Sequence, residues 1–167
     1  MNEINTVTLT PKQFQQRILA WFKIYGRKDL PWQQTKSPYR IWLSEIMLQQ
    51  TQVATVIPYF QNFIQAFPTL SSLAKADIEE VLHRWSGLGY YARARNLHRS
   101  AQIIEKEYFG KFPQDLMQLQ SLPGIGRTTA GAILALAFNK SASILDGNVK
   151  RVLTRVHAIP GSTALAS

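Results

Sequence analysis

Apolar positions along the chain recur almost everywhere at helical spacing. Phe14, Ile18, Trp21, Phe22 and Tyr25 fall at i, i+4, i+7, i+8 and i+11, one face of a helix. Thr10 followed by Pro11 is an N-cap and first-turn pair, and Gly26 supplies the stop. The same pattern predicts helices over 39–50 and 51–66, and Pro58 is expected to bend or break the second. Asp77 with Glu80 reads as a capping box for a helix through Trp85. Further helices are predicted over 90–107, from Pro113 to about 120, over 127–138 and over 147–157. No segment alternates apolar and polar residues long enough for a strand. The expectation is an all-α fold of seven to nine short helices, with glycine-rich connections at 86–89 and 122–126.

Composition narrows the class. Of 167 residues, 46% are hydrophobic and 11% aromatic, enough for one packed domain and too many for a disordered chain. No apolar run approaches the roughly 20 residues of a membrane span. The N-terminal MNEINTVTLT lacks the basic and apolar regions of a secretory leader, so a cytoplasmic protein is expected, and separately a monomer. Cysteine is absent, which excludes disulfides, thiolate catalysis and cysteine-ligated metal within this sequence. His83, His98 and His157 show no metal-ligand spacing, so no metal site is expected.

Charge adds the first functional hint. Nineteen Lys and Arg face ten Asp and Glu, for a net charge of +9, and such an excess suits a polyanion such as nucleic acid. The stretch from His83 to Arg99 holds four arginines, two histidines and no acid. From Arg127 onward Asp146 is the lone carboxylate among five basic residues.

Three constellations carry chemistry. Leu122-Pro123-Gly124-Ile125-Gly126-Arg127-Thr128 lies between two predicted helices. Gly124 and Gly126 permit a tight hairpin, whose amides, with the next helix N-terminus, can hold a phosphate without reading sequence. Ala130, Gly131, Ala132, Ala135 and Ala137 would let the following helix pack closely. Asp146 sits where a helix begins, beside Gly147, Asn148, Lys150 and Arg151. It is a good N-cap, and an ionised carboxylate there can also stabilise a cationic transition state. Glu45 has Ile41 and Trp42 one turn before it and Leu48 one turn after, which places its carboxyl on an apolar stripe. Partial burial there would favour the protonated form, as a general acid requires. One protonated and one ionised carboxyl match the logic of glycosidic bond cleavage. A base inside a duplex must be extruded first, and Gln49-Gln50-Thr51 and Leu88-Gly89-Tyr90-Tyr91 offer amides and aromatics to fill the gap. One of the two tyrosines is expected in the core.

These residues carry a resemblance. Leu30-Pro31-Trp32, the run from Trp42 through Pro58, the stretch from Gly87 to Leu97, the Leu-Pro-Gly-Ile-Gly hairpin and Leu145-Asp146-Gly147-Asn148-Val149 resemble the adenine DNA glycosylases of the endonuclease III-like, helix–hairpin–helix superfamily. The resemblance covers residues 11–158. It implies an enzyme that removes adenine mispaired with 8-oxoguanine or guanine in double-stranded DNA, in a bacterial cytoplasm and nucleoid. It implies Glu45 as the acid protonating the adenine leaving group. It implies Asp146 as the carboxylate stabilising the sugar cation, with or without a covalent intermediate. Gln50, Thr51, Leu88 and Tyr90 match residues that occupy the duplex around 8-oxoguanine, and Lys28 and Trp32 lie in a segment lining the adenine pocket. Gly124, Gly126, Arg127 and Thr128, with Gln49 and Asn148, complete the expected DNA-binding set.

Lyase relatives place a lysine where this chain has Thr128, and no lysine lies between Lys111 and Lys140. A monofunctional hydrolase is therefore expected, with a bifunctional oxidised-pyrimidine glycosylase/AP lyase as the alternative. The family also carries a four-cysteine [4Fe-4S] site, which would fall downstream of residue 167. On this reading the chain is a truncated N-terminal portion and carries no cofactor of its own. Residues 1–28 would belong to an otherwise missing cluster-side domain. Residues 29–158 would form the catalytic domain, with the helix–hairpin–helix at 113–138, and 159–167 a truncated tail. A catalytically inactive DNA-binding fragment is the competing expectation.

Overall fold

The computed structural model describes residues 9–159. Nearly all of the tail expected at 159–167, and the first eight residues, lie outside them. Nine helices and no strand occur among the described residues. They are α1 (Pro11–Tyr25), α2 (Pro38–Leu48), α3 (Val53–Ala66), α4 (Leu70–Lys75), α5 (Ile78–Trp85), α6 (Tyr91–Glu107), α7 (Leu116–Gln120), α8 (Arg127–Phe138) and α9 (Gly147–Val156).

Local chemistry explains most boundaries. Thr10 caps α1 in a full capping box with Gln13, behind Pro11. Ser37 caps α2, ahead of Pro38. Asp77 caps α5 by accepting from the Glu79 amide at 2.9 Å, so the expected box with Glu80 does not form. Asp115, not Pro113, opens α7, its Oδ1 accepting from the amides of Met117 and Gln118. Helix α4 carries a Thr69–Ser72 box that the periodicity of so short a segment does not reveal.

Pro58 neither breaks nor splits α3, which runs through it. The ring removes one amide from the ladder, but Val56, Phe60, Phe63 and Ile64 on the same helix are buried. Their burial, at ~1.5–3 kcal/mol per large apolar side chain, outweighs one lost bond.

The described residues divide into two compact units. The larger spans residues 29–144 and holds α2 to α8; the smaller comprises 9–28 and 145–159, with α1 and α9. The division falls after Ile144, so α9 belongs with the smaller unit. In the larger unit α6 is the spine, packing on α2, α4 and α5, while α8 packs on α2 and α7. Trp42, Trp85, Phe60, Phe63, Leu97 and Ile104 are closed from solvent at its centre. Tyr39 donates its hydroxyl to the Phe67 carbonyl at 2.8 Å, and burial pushes its pKa well above the ordinary tyrosine range. His98 is a core residue, its Nε2 3.0 Å from the Ala76 carbonyl.

In the smaller unit neither helix has a buried residue. The apolar stripe of α1 is open, with Trp21 57% and Tyr25 67% exposed. No helix among the described residues is long and apolar enough to cross a membrane.

Candidate functional site

The hairpin is built as its residues dictate. Leu122 and Ile125 point inward and are buried, and the Ile125 amide donates to the Leu122 carbonyl at 3.1 Å. Gly124 turns the chain at φ +75°, and a Cβ there would stand 3.0 Å from Asn96 Cβ on α6. Ser100, also on α6, donates to the Pro123 carbonyl at 2.8 Å. Gly126 is the N-cap of α8 and has no side chain to accept from the first-turn amides. Arg127 is exposed beside them and Thr128 half-buried. Gly131 lets residues 142–144 close on α8: an added Cβ would meet the Ser143 carbonyl oxygen at 3.2 Å.

Glu45 lies on the face of α2 that opens into a cavity of about 320 Å³. The cavity is walled by Trp32, Ile41, Ser44, Glu45 and Lys36, and by Leu136 from α8. Glu45 is half-buried. Trp32 is buried and stands edge-on to Phe60, ring centres 5.3 Å apart, which fixes it as a wall. Ser44 and Leu136 escape the sequence reading; a serine in an apolar helix and a leucine one turn past the hairpin helix's core face look like ordinary packing.

The expected wedge residues divide. Gln50 is exposed with φ +56°, and Tyr90 is 61% exposed with φ +50°. Left-handed backbone at such residues costs roughly 1–2 kcal/mol each, so both turns are held by their surroundings. Tyr91 is 40% exposed as well, so neither tyrosine enters the core as one was expected to. Leu88 does, at 6% exposure. Thr51 is half-buried, and Gln49 donates its side-chain amide to the Thr129 hydroxyl at 3.4 Å, linking the α2 exit to the hairpin helix.

The holder of these turns is Arg93, which the sequence reading passes over. Its guanidinium donates to the carbonyls of Ile46 and Met47 at 3.0 and 2.9 Å, and to that of Gln49. Its other terminal nitrogen reaches Thr51 Oγ1 and the carbonyls of Leu88 and Gly89 at 3.3–3.4 Å. The same group stacks near the rings of Trp85 and Tyr90. Burial lowers its pKa, and Tyr90 partly offsets this.

Asp146 is the N-cap of α9, its Oδ1 accepting from the Val149 amide at 2.7 Å. Asn148 is exposed and accepts from Arg151 at 2.9 Å. Lys28 donates to the Lys23 carbonyl at 2.6 Å. These three lie in the smaller unit. No group of three or more His, Cys, Asp or Glu among the described residues could hold a metal ion. The iron–sulfur cluster implied by the resemblance does not fit these residues, since the sequence holds no thiolate to ligate it.

Residues 43–166 match the pattern of the HhH-GPD superfamily base excision DNA repair protein. An adenine DNA glycosylase from Buchnera aphidicola (subsp. Acyrthosiphon pisum) is 54% identical over 153 residues, covering 92% of this chain and 44% of that protein. The human adenine DNA glycosylase is 45% identical over 165 residues, 92% of this chain and 30% of that protein. The chain thus spans less than half the length of these relatives. The structure of a thermostable thymine-DNA glycosylase superposes with a TM-score of 0.80 at 30% identity, covering 86% of this chain and 66% of the other. A non-covalent endonuclease III–DNA complex gives 0.77 at 23% identity, with 94% and 74% covered, and shares the fold.

Proposed function

The chain belongs to the HhH-GPD superfamily of base excision DNA repair proteins, and from that membership we propose that it carries the chemistry of a DNA glycosylase acting on adenine mispaired with 8-oxoguanine or guanine. The observation that carries the reading is Glu45, a half-buried carboxyl on the wall of a cavity lined by Trp32, Ile41 and Leu136, in the fold that holds the glycine hairpin. Glu45 gives its proton to a ring nitrogen of the extruded adenine as the bond to C1′ breaks. Asp146 stabilises the positive charge that develops on the sugar. Water adds to C1′ and loses a proton to solvent, leaving an abasic site and free adenine.

DNA is the partner. The hairpin amides and Arg127 take the backbone. Gln50 and Tyr90 enter the gap left by the extruded base, while Gln49, Thr51 and Leu88 shape the turns that present them. Asn148 and Lys28 are assigned to the DNA and pocket side by resemblance. Thr128 has no amine to form an imine, so the strand is left uncut.

The test is single-turnover adenine release from duplexes with adenine opposite 8-oxoguanine, guanine or thymine. Release from the first two is expected, lower by roughly 10²–10⁴-fold in Glu45→Gln. Unchanged release in that variant would remove Glu45 from the chemistry. Borohydride trapping of the Thr128 protein on DNA would favour the lyase alternative. A second reading, a DNA-binding chain without turnover, is favoured by the open stripe of α1; duplex binding with no release from any mispair would support it.

A further inference from the structure

We propose that Arg93 is a positioning residue that ties the exit of α2 and the turn between α5 and α6 into one rigid rim. The two segments are 42 to 47 positions and 4 to 5 positions away from it in sequence, yet one guanidinium serves both. Its nitrogens reach carbonyls at the end of α2, where the helix dipole favours a cation, and carbonyls of Leu88 and Gly89 in the other turn. Other bonds hold each turn by itself: the Gln49 side chain reaches Thr129, and in the second turn the Leu88 amide donates to the Trp85 carbonyl at 3.0 Å and Trp85 Nε1 to the Gly89 carbonyl at 3.1 Å, but none of these joins the two segments. The Gln49 and Thr51 amides donate at 3.4 and 3.3 Å, long for a helix exit. On each side of Arg93 a non-glycine residue sits in the left-handed region, Gln50 and Tyr90, and the Tyr90 ring lies 5.3 Å from the guanidinium. Such backbone persists only where its surroundings over-determine it.

The planar fork matters more than the charge. Six acceptors in two segments share the four N–H groups of the two terminal nitrogens, held in one plane, while the buried Nε has no hydrogen-bond partner; a lysine ammonium, a single point charge, cannot serve both turns. The functional consequence rests on the proposed glycosylase reading: Gln50 and Tyr90 are presented to DNA as a pair of fixed spacing.

The experiment compares the 167-residue wild type with Arg93→Lys and Tyr90→Ala. Hydrogen exchange reads the rim without DNA. In Arg93→Lys the Gln49, Thr51 and Leu88 amides are expected to exchange at least tenfold faster, while the α8 amides keep wild-type protection. Speeding in one segment alone, or uniform loss that includes α8, overturns the proposal. Tyr90→Ala is expected to speed exchange at Thr51, across the rim, and this cross-effect should vanish when Arg93→Lys is added; its survival also overturns the proposal. A duplex with 2-aminopurine opposite 8-oxoguanine separates the proposal from the reading beneath it. Wild type should unstack the 2-aminopurine, and both variants should lose at least fivefold of that signal. If exchange behaves as stated and neither variant alters unstacking, the rim stands and entry of Gln50 and Tyr90 into DNA fails. If Tyr90→Ala loses unstacking while Arg93→Lys leaves both readouts at wild-type values, Arg93 alone is overturned.

Discussion

Gly124 and Gly126 stand two residues apart in one hairpin under different constraints. Gly124 needs its left-handed φ of +75° and the space that Asn96 would take from a Cβ. Gly126 has ordinary extended backbone and nothing within 4 Å of an added Cβ. Gly124→Ala should therefore lower thermal stability and duplex affinity together. Gly126→Ala should leave the melting temperature unchanged and weaken binding to every duplex alike, because the open side is the one proposed to face phosphate. A Gly126→Ala protein with wild-type affinity would remove that face from the interface. Asp146 allows a similar separation. Asn caps a helix about as well as Asp, whereas Ala costs ~0.5–2 kcal/mol. Asp146→Asn should keep wild-type urea stability yet sharply slow excision, and Asp146→Ala should lose both. Equal activity in the Asn variant would leave Asp146 as a cap only.

At the scale of elements, α3 shows packing overriding local preference. Proline inside a helix is unfavourable by ~3 kcal/mol relative to alanine, and its rigidity returns roughly 1 kcal/mol through the unfolded chain. Pro58 is exposed and the helix continues through it. Pro58→Ala should thus stabilise the protein by about 2 kcal/mol, read as a higher urea midpoint at constant slope. A lower midpoint would mean the ring contributes packing that its exposure does not suggest. The helix α6 makes the complementary point. Its first turn carries Arg93, its middle carries Asn96 and Ser100 against the hairpin, and its buried face fixes both to the core. One helix therefore sets the geometry of two regions that the proposed function requires to act together.

At the scale of the whole molecule, net charge governs. With +9 over 167 residues and a glycine-capped N-terminus on α8, binding to duplex should be dominated by phosphate contacts. Log affinity should fall linearly with log salt, by about 0.9 for each phosphate neutralised, and be nearly the same for unrelated sequences. A flat plot would remove the electrostatic basis of DNA binding.

What the amino-acid sequence determined by itself is whatever local chemistry decides. Thr10-Pro11 and Asp146 mark helix starts because a cap acts on amides two or three residues away. The hairpin was legible because a Pro-Gly turn between two helices needs the left-handed freedom of Gly124, and Glu45 was legible because its neighbours at helical spacing are apolar. Tertiary structure decided the rest. Whether Leu88 or Tyr90 turned inward depended on which face of a short turn met α5 and α6, and no periodicity exists over two residues. Leu136 and Ser44 became cavity walls only when α8 lay against α2. Arg93 stands in a stretch of four arginines, and nothing in its residue type sets it apart from the others. Its partners are mostly backbone carbonyls, which every residue carries, so no residue type marks them in advance, and those in α2 lie more than forty positions away.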